Sequence, residues 1–189
     1  MEVLQSEGLD RLSLRAVAGR LGVRVNAVAW HMKDKAGLLD SLTDAMMAES
    51  LPAHLPGGAE RRVRDLLGSF RATLRAHRDG ARLAREGFSL ARPNQRAFAE
   101  AFSAALYDTG RGAKDVAWTA WTLIYFVIGL VNEEQSSPDR TPGVEAAAAD
   151  PSSFPALAEA TEYLTGDSFD DRFVYGVDLI LSGRSPSQT

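Results

Sequence analysis

Apolar residues recur at intervals of three and four positions along most of this chain of 189 residues. That spacing places side chains on one face of an α-helix, and the strict alternation expected of a half-buried strand is missing. In the clearest segment, from Glu60 to His77, the apolar face comprises Val63, Leu66, Leu67, Phe70 and Leu74. We therefore predict an all-α protein.

Turn-forming residues divide the pattern into separate helices. Ser13 is suited to cap a helix that ends at Leu21, because Gly22 accommodates the left-handed conformation that terminates helices. Further helices are predicted over residues 25–31, 36–50, 94–107, 114–135, 154–163 and 169–181, with a shorter helical piece before Arg92-Pro93. Residues 136–153 are rich in Pro, Ser, Ala and Asp, so we predict a mobile loop there.

One segment, Val116 to Val131, is apolar on all sides. A membrane-spanning helix needs about 20 apolar residues, whereas this run has 16 and includes Thr119 and Thr122. We interpret it as a helix buried on two sides, within its own domain and against a partner. The prediction is therefore a homodimer without a membrane span, in which this helix and the one near 169–181 form the interface.

The charge is distributed unevenly along the chain. The net charge is −4, but residues 11–35 hold six Lys and Arg side chains against one acid, Asp34. This stretch is therefore +5 and the remainder −9. A basic segment on an acidic protein is expected when one end of the chain meets phosphate, although an ordinary solvated face has the same composition.

The composition excludes some kinds of chemistry. The chain contains no cysteine, so it has no disulfide framework, thiolate zinc site or cysteine nucleophile. Residues 1–8 contain no apolar run suited to a secretion signal. We expect a cytoplasmic protein.

The basic stretch has the spacing of a helix-turn-helix. Ala18 is small enough for a close helix crossing, Gly22 follows four residues later in the turn, and apolar anchors are available on both helices. The anchors are Val17, Leu21, Val23 and Val28. In such motifs the second helix enters the major groove of DNA. An ordinary helical hairpin shares the Ala-x3-Gly spacing, and the local charge favours the DNA-binding interpretation.

Several segments in sequence order resemble the TetR family of repressors. Residues 30–39, Trp-His-Met-Lys-Asp-Lys-Ala-Gly-Leu-Leu, resemble the end of that family's helix-turn-helix. Residues 77–81, 129–135 and 173–181 resemble segments of the tetracycline-repressor type of C-terminal domain. The resemblance implies a homodimer with a DNA-binding head on each subunit and a four-helix interface.

The resemblance also implies which residues meet DNA. By position, those facing base edges would be Arg15, Arg24, Val25, Asn26 and Ala27, and those holding phosphates would be Ser13, Trp30, His31 and Lys35. Two features depart from the family: Ala29 replaces a common backbone-contacting tyrosine, and the first helix is short. His31 has an alternative role, since it could simply pack beside Trp30.

The larger C-terminal part carries no catalytic or metal motif. His31, His54 and His77 are far apart in sequence, and no nucleophile elbow, phosphate loop or dinucleotide fingerprint occurs. Adjacent carboxylates at Glu133 and Glu134 diverge by about 100° on a helix, so they cannot form an acid/base pair. We expect neither an enzyme nor a bound cofactor or metal.

Aromatic residues concentrate in the middle of the chain and suggest a small-molecule site. An apolar wall with a few hydrogen-bonding groups is typical of such sites. The candidate ligand-binding residues are Leu66, Phe70, Phe88, Phe102, Trp118, Trp121, Thr122 and Tyr125. The same aromatic stripe would equally suit an ordinary core.

The resemblance bears on which ligand is bound. Ala84 stands where the tetracycline repressor has a metal-binding histidine, and Leu66 stands where it has a drug-binding asparagine. Phe70 matches an aromatic wall residue, and Glu133 matches an acid near the metal. We therefore expect a more apolar effector, such as an aromatic compound, instead of a magnesium–tetracycline complex.

The sequence thus predicts a ligand-responsive regulator that binds palindromic double-stranded DNA through residues 1–47 and a small effector through residues 48–189. A repressor released by its effector is the expected form. The alternatives are a helical ligand-binding protein that has lost DNA binding and a small helical enzyme acting on a hydrophobic substrate.

Overall fold

The computed structural model describes residues 1–136, 145–146, 149–166 and 168–183, and no strand occurs among them. The helices are α1 (Glu2–Glu7), α2 (Leu14–Leu21), α3 (Val25–Met32), α4 (Lys35–Met47), α5 (Ala59–Ala76), α6 (Gly80–Glu86), α7 (Pro93–Tyr107), α8 (Ala113–Ser136), α9 (Pro155–Gly166) and α10 (Phe169–Ser182). A 3₁₀ helix, Ala48–Ser50, follows α4 directly. The all-α prediction is confirmed. Much of the loop predicted over residues 136–153 lies outside the described residues.

Helices α2 and α3 form a helix-turn-helix with the predicted caps. The Ser13 hydroxyl accepts the backbone N–H of Ala16 at 3.1 Å, and Gly22 adopts φ 67° in the turn. Ala18 and Val28 are buried where the two helices meet. The local signals of the sequence therefore define this element as predicted.

Two of the predicted anchors of the helix-turn-helix are wrong. Leu21 is 64% exposed and Val23 is 46% exposed. The buried contact between α2 and α3 is made around Ala18 and Val28, so the end of α2 and the turn after it face away from the core. Helix α1 is short, as expected, but it braces the head because Val3 and Leu4 are buried.

A continuous core joins the head to the rest of the chain. The central helix α5 buries Val63, Leu66, Leu67 and Leu74 completely, and it packs against α6, α7 and α8. Helix α4 extends from the head into the same core, where Met46 is fully buried. A movement of α4 relative to the core helices would therefore change the position of the head.

Helix α8 is long and only partly buried within one protomer. A stretch of 18 of its 24 residues has a mean hydropathy of 1.3, so the helix could span a membrane by length and composition alone. It packs against α5, α6, α7 and α10, however, and directs a buried row towards them: Val116, Leu123, Val127 and Val131. The opposite side of α8 leaves Trp118 and Tyr125 exposed.

Helix α10 packs tightly against α8 and is anchored at its start. Ser168 and Asp171 form a reciprocal capping box, and the hydrogen bonds from Ser168 lower the pKa of the Asp171 carboxyl. Gly176 abuts the Phe126 ring so closely that a Cβ would lie 2.2 Å from it. The close approach of α10 to α8 at Gly176 is therefore made within one protomer.

A buried arginine ties α5 to α8 and α10. Arg71 donates to Glu134 at 3.2 Å and to Asp170 at 2.5 Å, and its guanidinium lies 5.0 Å from the centre of the Phe173 ring. The side chains of Arg71 and Glu134 are only 7% and 17% exposed, so replacing either one would leave an uncompensated buried charge and destabilise the protein.

Candidate DNA-binding head and effector cavity

All of the predicted DNA-binding residues except Ser13 are exposed on the head. Arg24 is the N-cap of α3 in an extended conformation, and Val25, Asn26 and Ala27 are exposed in the first turn of that helix. Arg15 is exposed on α2 and Lys35 at the start of α4. The start of a helix therefore presents its side chains outward, as insertion into a major groove requires.

Trp30 and His31 are also exposed, so neither packs in the core. Trp30 is 85% exposed, which is unusual for a large apolar residue in a protein without a partner. Its position next to the exposed turn of α3 agrees with a role in contacting DNA. Ser13 differs from these residues, because its hydroxyl oxygen is engaged as the cap of α2.

The segment His77 to Ala81 docks the head onto the larger domain. Asp79 takes a left-handed backbone conformation with φ 55°, and its carboxylate accepts the N–H of Leu9 at 2.8 Å. A Cβ on Gly80 would lie 2.2 Å from the carbonyl oxygen of Leu74, so only glycine fits this turn.

Three further side chains make contacts at the same junction. The His77 ring lies between Gln5 of α1 and Glu49, at 3.0 and 2.9 Å. Arg78 donates to the carbonyl oxygen of Ser6 at 2.9 Å. Arg82 pairs with Asp10 at 2.7 Å and thereby lowers the pKa of that carboxyl.

A cavity of about 580 Å³ lies between α4, α5, α6, α7 and α8. The residues that line it are Thr43, Met47, Phe70, Ala81, Ala84, Arg85, Phe88, Phe98, Trp121, Ile124, Tyr125, Ile128, Gly129 and Asn132. Its volume falls within the range of small-molecule sites, about 300–1,000 Å³. The aromatic residues of this region therefore do not close upon one another as a solid core.

Half of the predicted ligand-binding residues line this cavity: Phe70, Phe88, Trp121 and Tyr125. The Phe88 and Trp121 rings meet edge to face with centroids 5.8 Å apart, and Trp121 stacks on Tyr125 at 5.4 Å. Trp121 is still 43% exposed. The rings thus form a broad aromatic wall that remains open to a ligand.

The other half lie elsewhere. Leu66 is fully buried in the core. Phe102 lines an adjacent cavity of about 220 Å³, which shares Phe88 and Trp121 with the larger one. Trp118 and Thr122 line a separate, more polar depression of about 660 Å³, and the Thr122 hydroxyl donates to the Trp118 carbonyl at 2.8 Å. The Thr122 hydroxyl proton is therefore already used within α8.

Three polar lining residues were not predicted from the sequence. Thr43 lies on α4, Arg85 on α6 and Asn132 on α8. Aromatic side chains at helical spacing form a pattern in the sequence, whereas isolated polar residues carry no such signal. Asn132 lies within the segment that resembles the TetR family, which is the one indication that could have singled it out.

The lining does not suit a magnesium–tetracycline chelate. Ala84 lines the cavity, whereas Glu133 lies outside it, near Arg172. The described lining has no carboxylate or imidazole, which are usual protein ligands for metal ions. Across the described residues, no group of three or more His, Asp and Glu side chains is arranged to hold a metal.

The cavity touches the helix that carries the head. Thr43 and Met47 of α4 form part of its wall, and the Thr43 hydroxyl donates to the carbonyl of Leu83 on α6 at 3.1 Å. At the end of α6, Gly87 lies directly against the Leu39 carbonyl of α4. The wall of the cavity is therefore formed in part by α4 and in part by α6, the helix packed on it.

A family model described as the tetracyclin repressor-like C-terminal domain matches residues 51–185. The chain belongs to the TetR family. This confirms the resemblance found in the sequence, and the function class of the chain is ligand-responsive transcriptional regulation.

Full-length similarities agree with this assignment. The class G tetracycline repressor of Vibrio anguillarum is 34% identical over 97% of this chain and 88% of its own length. The class A tetracycline repressor from transposon 1721 of Escherichia coli is 33% identical over 97% of this chain and 85% of its own length.

Solved structures extend the similarity to the fold. ActR of Streptomyces coelicolor, in complex with actinorhodin, superposes with a TM-score of 0.83 at 27% identity, over 96% of this chain and 89% of ActR. TetR of Acinetobacter baumannii superposes with a TM-score of 0.68 at 32% identity, over 96% of this chain and 90% of that protein.

Proposed function

We propose that this protein is a homodimeric transcriptional repressor that binds a palindromic operator and releases it when an aromatic, largely apolar effector enters the cavity. The observation that carries the proposal is that one helix, α4, reaches both sites. It lines the cavity with Thr43 and Met47 and also packs on the recognition helix α3. ActR, which has the same fold, is known in complex with actinorhodin.

The DNA-binding assignments follow from the exposed surface of the head. Arg24, with a guanidinium able to grip guanine by two hydrogen bonds, and Asn26, with an amide suited to adenine, would read bases. Lys35, Trp30 and His31 would position the head on phosphates. Two identical heads impose two-fold symmetry on the operator.

Signal transfer would run through α4. The start of α7 holds α4 at two points: its N-cap residue Arg92 donates to the Gly37 carbonyl at 3.3 Å, and Asp44 accepts the backbone N–H groups of Asn94 and Gln95 at 2.9 and 3.1 Å. An effector shifts the head only if it binds one arrangement of these helices more tightly than the other.

Dimerisation would cover the exposed sides of α8 and α10. Trp118 and Tyr125 of α8 and Tyr175 and Leu179 of α10 are large apolar side chains exposed in the protomer, and an obligate interface resembles a core cut in half. Since Tyr125 also lines the cavity, the partner would lie near the cavity's open side.

The domain division, with residues 1–47 as the head and 48–189 as the effector and dimerisation domain, and the cytoplasmic location are parts of the same proposal. So is the absence of catalysis, for which the relatives' names as repressors give support.

Selection of bound fragments from random duplex DNA tests the proposal. We expect an inverted repeat whose binding weakens steeply with salt and is lost when a suitable aromatic compound is added. A protein that enriches no sequence, or that binds compounds without changing DNA affinity, would contradict it. Tyr125→Phe, which removes one hydroxyl, is the matched probe of the cavity's role in induction.

A further inference from the structure

We propose that the effector is an aromatic acid whose ring system stacks against the aromatic wall and whose anionic group binds Arg85, with Asn132 as a second polar contact. This inference rests on the proposed function and specifies the chemical class of its ligand. It comes from the unequal distribution of charge and hydrogen-bonding capacity around the cavity.

Arg85 is the only charged residue in the described lining of the cavity. Its side chain is 63% exposed, and the guanidinium pairs with the neighbouring Glu86 at 3.3 Å. An exposed pair of this kind is weak, so the cation is available to a ligand. Guanidinium groups bind carboxylates in a bidentate arrangement, which is stronger than a neutral hydrogen bond.

Asn132 has unused hydrogen-bonding capacity at the same end of the cavity. The Gln135 side chain accepts the N–H of Ala81 at 3.4 Å, which brings α8 and α6 together. Arg85 and Asn132 each lie about one helical turn from this contact, on α6 and α8 respectively. No hydrogen bond or ion pair to Asn132 is made by the described residues, so its amide is free to bind the ligand.

The other walls suit the aromatic part of such a ligand. Phe70, Phe98 and Ile124 are apolar, Trp121 presents a ring face, and the Thr43 hydroxyl already donates to Leu83. A neutral apolar effector that displaced water near Arg85 would leave a cation less well solvated and without compensation. An anionic group at this position removes that cost.

The test compares two probes of equal shape, 9-anthracenecarboxylate and 9-anthracenecarboxamide, by calorimetry and by release of the selected operator. We expect the protein to bind the acid at least about tenfold more tightly than the amide, as a charge-assisted hydrogen bond implies. Arg85→Gln should abolish this preference by weakening acid binding alone, and Arg85→Lys should restore part of it. Arg96→Gln, an exposed arginine outside the cavity lining, is the control and should retain the preference.

The outcomes separate this inference from the proposed function. If both probes bind equally and both release operator, the ligand is not selected by its charge and the inference fails, while the repressor function stands. An acid preference that survives in Arg85→Gln also overturns the inference. If neither probe binds nor affects DNA, the aromatic-acid assignment fails, and binding of the selected operator by the same preparation shows whether the DNA-binding function stands.

Discussion

Gly87 offers the sharpest test of the contact between α6 and α4. Its backbone, at φ −112° and ψ 19°, is accessible to any residue, so alanine there would introduce no conformational strain. A Cβ at this position, however, would lie 2.3 Å from the Thr43 hydroxyl oxygen and 2.5 Å from the Leu39 carbonyl oxygen. Ordinary van der Waals contact begins near 3.4 Å, and the backbone carbonyl cannot rotate away.

The Gly87→Ala variant must therefore separate α6 from α4 by about 1 Å, and overpacking of this kind costs about 1–3 kcal/mol. For a protein of this size that corresponds to a fall in melting temperature of about 2–12 °C. Operator affinity should fall as well, because α4 carries the recognition helix. Thermal denaturation followed by circular dichroism and fluorescence anisotropy with labelled operator measure the two effects.

Gly68→Ala is the matched control. Gly68 lies within α5, and its added Cβ would meet nothing within 4 Å. Replacing a helical glycine by alanine should stabilise the protein by about 0.5–1 kcal/mol, which is opposite in sign to the effect at Gly87. If Gly87→Ala melted at or above the wild-type temperature, the tight contact between α6 and α4 would be refuted, and with it the route from cavity to head.

Three other predictions concern DNA contacts, assembly and pH. Arg24→Ala should reduce the free energy of operator binding by about 1–3 kcal/mol and relax the base preference at one position per half-site. Lys35→Ala should weaken binding to all DNA sequences alike and lower the slope of affinity against salt by about 1. An unchanged sequence logo for Arg24→Ala would place the recognition surface elsewhere. Leu179→Asp should yield folded monomers in light scattering, whereas Val177→Asp should unfold the protein, because Val177 is buried within the protomer. A dimeric Leu179→Asp protein would exclude the exposed side of α10 as the dimer interface. The Arg82 contact lowers the pKa of Asp10 from 3.8, so its stabilisation is present above that pH and is lost as the pH falls through the lowered pKa; Asp10→Asn should remove this part of the acid dependence in denaturation midpoints.

The helices were predictable because their signals are local. Ser13 caps α2 and Gly22 ends it through interactions within a few residues, and the apolar period of α5 is visible in the sequence alone. Leu21 shows where such reasoning stops. Its spacing suits an anchor, but its burial depends on how the end of α2 lies relative to the core.

The cavity was predictable only in part for the same reason. Trp118 and Trp121 are three residues apart on α8 and looked equivalent in the sequence, yet they line different hollows because α6 and α7 pack beside only one of them. Arg85 and Asn132 carry no pattern that marks them as lining residues. Their roles emerge only when α6 and α8 are brought together.

The central claim is that the cavity and the head are energetically coupled, and linkage makes this directly measurable. For the tightest-binding compound of an aromatic-acid panel, the dissociation constant is determined by calorimetry with and without saturating operator DNA. Since coupling is reciprocal, a ligand that releases DNA must bind more weakly to the DNA-bound protein, and we expect a difference of about 5- to 150-fold. Equal affinity in the two states would contradict the account.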